Sequence, residues 1–110
     1  MKNEFIPYEQ ALALKELGFG ERCMALYNEE GKTIHLSLNL VNIKPYFRAP
    51  IYQQAFRWFR EKHGLRHFIE YDNGHYNAVV QSSLVYHCDT HEEAELACLK
   101  KLIELLIKTA

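Results

Sequence analysis

"RHFIEYDNGHYNAVV", Arg66 to Val80, is the stretch on which the fold turns. Asn73-Gly74 is the strongest short signal for a two-residue hairpin, because a type I′ turn needs positive φ at both central positions. Around it Asp72 pairs with His75, Tyr71 with Tyr76, Glu70 with Asn77 and Ile69 with Ala78. Strand alternation then puts Ile69, Tyr71, Tyr76, Ala78 and Val80 on one face. Glu70, Asp72, His75 and Asn77 take the other, with Phe68 and Val79 near its base. Strands joined this tightly run antiparallel, so an antiparallel sheet is expected.

Upstream lies "APIYQQAFRWFREKHGLRH", Ala49 to His67. At 100° per residue, Ile51, Tyr52, Ala55, Phe56, Trp58 and Phe59 share one arc of a helix, and Gln53, Gln54, Arg57, Arg60 and Glu61 fill the rest. The pattern predicts a helix from about Ile51 to His63, stopped by Gly64. Its aromatic rings point away from its arginines and into a core. Downstream, "QSSLVYHC" reads as a fifth strand or as a bulged continuation past Ser82-Ser83. Thr90 and Glu93 then form a capping box for a last helix whose periodicity runs from Ala94 to about Lys108. Leu96, Cys98, Leu99, Leu102, Ile103, Leu105, Leu106 and Ile107 give it an apolar arc of roughly 200°, wider than one sheet face needs. Glu104 and Lys108 make an i,i+4 pair.

In the N-terminal half, Pro7 and Gly18 bracket a helix from about Pro7 to Leu17, with Ala11, Ala13, Leu14 and Leu17 on one face. Thr33 to Leu38 alternates as a half-buried strand. Asn28-Glu29-Glu30-Gly31 reads as a three-residue hairpin loop, which pairs Leu26 with Ile34 and Met24 with Leu36 and turns those four inward. Cys23, Ala25, His35 and Ser37 then face out. Residues 39–50, bracketed by prolines yet apolar, read as a connection that packs on the body or serves a partner. The expected fold is α+β: one antiparallel sheet of four to five strands with three helices mainly on one face, in the order α-ββ-α-ββ-(β)-α, within a single domain of residues 1–110.

The apolar fraction is 48%, the charged fraction 25% and the formal net charge −1. Such a chain is globular, and any nucleic-acid site on it must be a local patch rather than the whole molecule. Three cysteines, Cys23, Cys88 and Cys98, without framework spacing suggest free thiols in a reducing cytosol. No apolar signal segment follows Met1, and no stretch is apolar enough to span a membrane, so a cytoplasmic location is expected.

Three blocks, "YEQALALKELGF", "APIYQQAFRWFREKHGL" and "EEAELACLKKLIELL", resemble a group of small uncharacterised proteins of Bacteroides-type bacteria and their phages or mobile elements. The resemblance covers most of the chain, chiefly its helices. It implies a cytosolic accessory protein of phage-like origin, and it assigns neither an activity nor site residues.

Few residues invite chemistry. Ser37, Ser82 and Ser83 lack a Gly-x-Ser-x-Gly elbow, and the chain has no phosphate loop or dinucleotide fingerprint. Cys98 falls in an apolar arc and reads as a small buried hydrophobe. A non-enzymatic protein without a cofactor is therefore expected. His87, Cys88, Asp89 and His91 are all zinc-ligand types, but His87 and Cys88 are neighbours on extended chain and point to opposite faces. Two surfaces are left. The wide arc of the last helix suggests a homodimer through Leu99, Ile103 and Leu106, within a protein whose role is to bind another protein. Arg57, Arg60, Lys62, Arg66 and His67 form the one concentrated positive cluster and suggest nucleic-acid contact, against the plainer reading of a solvated helix face balanced by Glu61.

Overall fold

The computed structural model describes residues 4–21, 23, 25–28, 34–36 and 46–109. The chain divides into two compact units, Met1–Ile51 and Tyr52–Ala110, and where one sheet is expected each unit has its own three-stranded antiparallel sheet. The α+β class, the antiparallel pairing and the three helices are as expected; the single sheet of four to five strands is not. No helix among the described residues is long and apolar enough to cross a membrane.

The first unit opens with α1, Tyr8–Glu16. Pro7 precedes its first turn, and Gly18 ends it at φ 99°. The Phe19 N–H returns to the Leu14 carbonyl at 2.9 Å, and both side chains are buried, which completes a Schellman stop with its hydrophobic contact. The strands β1 (Ala25–Asn28), β2 (Ile34–Leu36) and β3 (Tyr46–Ala49) follow in the spatial order β2-β1-β3. β3 corrects the reading of residues 39–50 as a connection. Its four residues lie just between Pro45 and Pro50, and proline at a strand's limits leaves the ladder intact. Residues 39–45 lie outside the described ones.

The first hairpin also departs from expectation by one residue. Tyr27 pairs with Ile34, Leu26 with His35 and Ala25 with Leu36. Six residues separate Tyr27 from Ile34, an even number, whereas a three-residue loop needs an odd one; the turn itself, with Met24 and Ser37, lies outside the described residues. The physical reason sits at Tyr27. Its ring is buried and packs edge-on against Tyr8 at 5.5 Å, and its hydroxyl donates to the Ile6 carbonyl at 2.7 Å. A large ring with its polar tip satisfied outweighs Leu26 as the inward residue.

The second unit runs α2 (Tyr52–His63), β4 (His67–Asp72), β5 (His75–Val80), β6 (Ser83–Cys88) and α3 (His91–Thr109), with sheet order β4-β5-β6. Tyr52, Ala55, Phe56, Trp58 and Phe59 of α2 are buried, and Gly64 closes the helix at φ 66°. The Asn73-Gly74 hairpin has the expected register from Asp72↔His75 to Ile69↔Ala78. β6 is the fifth strand of the α-ββ-α-ββ-(β)-α reading. It joins β5 through a two-residue turn with Gln81 and Ser82 both at positive φ, 53° and 69°. The Gln81 N–H donates to the Arg66 carbonyl, and its side-chain carbonyl accepts from the Arg66 N–H at 2.8 Å, which holds the turn to the start of β4. Thr90 caps α3, its hydroxyl accepting the Glu93 N–H at 3.1 Å. α3 lies on the face of the sheet that carries Ala78, Val80 and Cys88, all buried.

Candidate interaction surface

The face of the β4-β5-β6 sheet away from those residues is built by alternation. β4 contributes Phe68, Glu70 and Asp72; β5 contributes His75, Asn77 and Val79; β6 contributes Leu84 and His87. The pairs Phe68↔Val79 and Val79↔Leu84 set three apolar side chains in a row across all three strands. Val79 is covered by its neighbours at 9% exposure, while Phe68 and Leu84 stand 53% and 54% exposed. Water is the wrong neighbour for such rings and branches. Their full burial is worth roughly 1.5–3 kcal/mol each, and about half of that is left unrealised here.

Beside this row runs a polar one, Glu70–Asn77–His87. The Asn77 Nδ2 donates to Glu70 at 3.4 Å, and the His87 Nδ1 lies 2.6 Å from the Asn77 Oδ1. The carboxylate can only accept, so it fixes which way the amide points; the Asn77 oxygen then requires the proton on His87 Nδ1. Asn77 is buried, and these two bonds give each of its side-chain polar atoms a partner. Asp72 and His75 make the outer row, with the Asp89 carboxylate 3.6 Å from His75, an exposed pair worth little. The face therefore presents an apolar strip next to an ordered polar ladder.

The sheet's second open feature is an edge. Among the described residues β6 pairs only with β5. A bulge at Val85 shifts the ladder between Ala78 and Val79 and sets Val85 and Tyr86 in succession along a groove between β6 and α3. The groove measures about 380 Å³, and Cys88, Leu96 and Ala97 complete its apolar lining. Tyr86 stands 62% exposed.

The four zinc-ligand types at the end of β6 and just past it do not converge. His87 is committed to Asn77 on the open face, and Cys88 is buried beneath α3. Asp89 sits by His75, and His91 lies 3.6 Å from Glu95. Among the described residues no group of three or more histidine, cysteine or acidic side chains is placed to hold a metal ion. Burial pushes all three thiols up, Cys23 and Cys98 to about 11, so at neutral pH none is a thiolate.

In the basic cluster Arg57, Arg60, Lys62 and Arg66 are all exposed, and none forms a salt bridge among the described residues. His67 separates from them. Its ring stacks on Phe56 at 3.6 Å and is partly buried. Burial, then the charges of Arg60 and His91, holds its pKa down to about 4, so it is neutral where the arginines are charged. Of the residues expected to self-associate, Leu99 and Ile103 are buried within the chain and Leu106 is half-buried, so they leave little surface for a second copy. The wide arc of α3 is largely buried within the chain, leaving Ile107 exposed. Neither Leu84 nor Tyr86 stands out in the sequence as a surface residue. The signal for Phe68 was its place on the polar side of the Asn-Gly hairpin.

No protein-family model, curated protein or solved structure matches the chain.

Proposed function

We propose that the chain is a non-enzymatic interaction or adaptor module, cytoplasmic and of phage or mobile-element origin, whose protein partner lies on the open face of the β4-β5-β6 sheet. The observation that carries this reading is the Phe68–Val79–Leu84 row, with two of its three side chains more than half exposed on a sheet face. Contiguous apolar surface bordered by ordered polar groups is the form that protein-binding patches take. Affinity capture from the native host compares the wild type with Phe68→Asp and with an Arg57/Arg60/Arg66→Gln triple variant. A partner retained by the wild type and the triple variant and lost with Phe68→Asp supports the reading. Retention by all three removes it.

A second reading is nucleic-acid contact through Arg57, Arg60, Lys62 and Arg66. It draws on their exposure and on the lack of ion pairs to them among the described residues. His67 is left out as a phosphate ligand because it is neutral and stacked on Phe56. A gel shift with mixed DNA and RNA at low salt tests it. Three arginine–phosphate contacts on duplex DNA would give a slope of about −2.7 in log affinity against log salt, and the triple glutamine variant would abolish the shift.

A further inference from the structure

We infer that the outer edge of β6 pairs with β6 of a second copy of this chain, antiparallel about a two-fold axis, so that Tyr86 of each copy lies in the groove between β6 and α3 of the other. This surface differs from the open face assigned above, and neither assignment needs the other.

The occupant follows from the edge itself. A free strand edge offers a row of backbone donors and acceptors, which only another extended chain can satisfy along its length. Among the described residues no backbone hydrogen bond outside the β5 ladder involves Ser83–Cys88. Natural edges are blunted by charge, proline or a bulge; β6 reads Ser-Leu-Val-Tyr-His-Cys, with neither charge nor proline and with one bulge, at Val85. A two-fold axis sets like against like, so a strand with a formal charge near the axis would repel its own copy. The opposite edge strand, β4, carries Glu70 and Asp72 and is excluded on that ground; β6 is not.

Shape and charge agree. The bulge aims both Val85 and Tyr86 along the groove, and Tyr86 stays 62% exposed beside a space lined by Cys88, Leu96 and Ala97. A symmetric partner brings a second tyrosine to that apolar space. Glu93 and Lys100, both exposed, line the same groove seven residues apart on α3. An axis passing beside Leu96 and Ala97 sets Glu93 of each copy against Lys100 of the other. Pairing joins two three-stranded sheets into one of six strands. The bulge also twists the edge and shortens the regular run, so association is concentration-dependent rather than permanent.

Sedimentation equilibrium of the full chain, from about 1 μM to 1 mM, reads the result in the affinity range of small interfaces. The expected outcome is a monomer–dimer equilibrium above the 13.0 kDa chain mass. Tyr86→Lys sets two cations at the axis and should return the chain to a monomer, and Tyr86→Ser should weaken dimerisation in the same direction if the lysine variant fails to fold by circular dichroism. Tyr71→Lys, an equally exposed tyrosine on the other edge strand, should leave the dimer intact. Lys100→Glu should weaken it about fivefold, as expected for losing two rim pairs, and Glu93→Lys added to it should restore it. A monomer throughout, or a dimer indifferent to the Tyr86 substitutions, overturns the inference. Either result leaves the capture test of the open face unaffected.

Discussion

The two faces of the β4-β5-β6 sheet are made by the same three strands and end in opposite states. Where α3 packs on the sheet, Ala78, Val80 and Cys88 of the strands and Leu99 and Leu102 of the helix are all at most 2% exposed. On the other side Phe68 and Leu84 flank Val79 and remain half in water. Strand chemistry alone does not separate the faces, since both are apolar in their central row. What separates them is the polar ladder Glu70–Asn77–His87, which belongs to one side only and is itself hydrogen-bonded. A core rarely takes in such a row, because each buried polar group needs its full set of partners. The open face is therefore polar enough to stand in water and apolar enough to gain by leaving it.

The largest effect that would break this contrast lies on the covered side. Leu99→Ala should cost about 2–5 kcal/mol of unfolding free energy by opening a cavity, read by urea denaturation. A loss below about 1 kcal/mol would mean that α3 is not the sheet's true cover. Acid tests the same side at its end, where His67 stacks on Phe56. The folded chain holds His67 neutral down to about 4, against an ordinary 6.5 when unfolded. Between those values the unfolded chain binds a proton that the folded chain does not. Stability should thus fall as pH drops from about 6.5 toward 4, by on the order of 1–2 kcal/mol once solvent screening of this partly exposed ring is allowed for. His67→Gln should flatten that part of the pH–stability curve.

Smaller effects sharpen the contrast. Ser82 sits at φ 69° in the turn that joins β5 to β6, a conformation suited to glycine. Ser82→Gly should stabilise by about 0.5–1 kcal/mol without touching either face. A thermal melt that moves down instead would show that the serine side chain holds the turn. Phe68→Ser should cost far less than Leu99→Ala, about 1 kcal/mol, because its ring is already half in water. If it behaved like Leu99→Ala, the face would be part of a core and not a surface.

Much of the second unit is readable from local chemistry. Asn73-Gly74 admits one turn geometry, and it fixed the β4–β5 register through Ile69↔Ala78. Gly64 and Thr90 marked helix limits for the same reason: each satisfies one specific backbone need. The first hairpin was harder because Met24/Leu26 and Ala25/Tyr27 offer two rival inward sets. The choice rests on a hydroxyl bond from Tyr27 to Ile6, 21 residues away in sequence, which no local pattern contains. β3 was hidden by the prolines at its limits. The candidate face was half legible. Phe68 and Val79 follow from the hairpin, but Leu84 joins their row only through a Gln-Ser turn that lacks the usual turn residues. The self-association expected at Leu99, Ile103 and Leu106 rested on arc width, which counts apolar positions without knowing that Leu99 and Ile103 are buried within the chain.

Site-specific photocrosslinking separates the open face from the basic helix most directly. A benzophenone side chain is placed at Phe68 in one protein and at Arg57 in another, and each is irradiated in the native host. The account predicts a discrete protein adduct from position 68 and none from position 57. Adducts to nucleic acid from position 57, with none to protein from position 68, would contradict it.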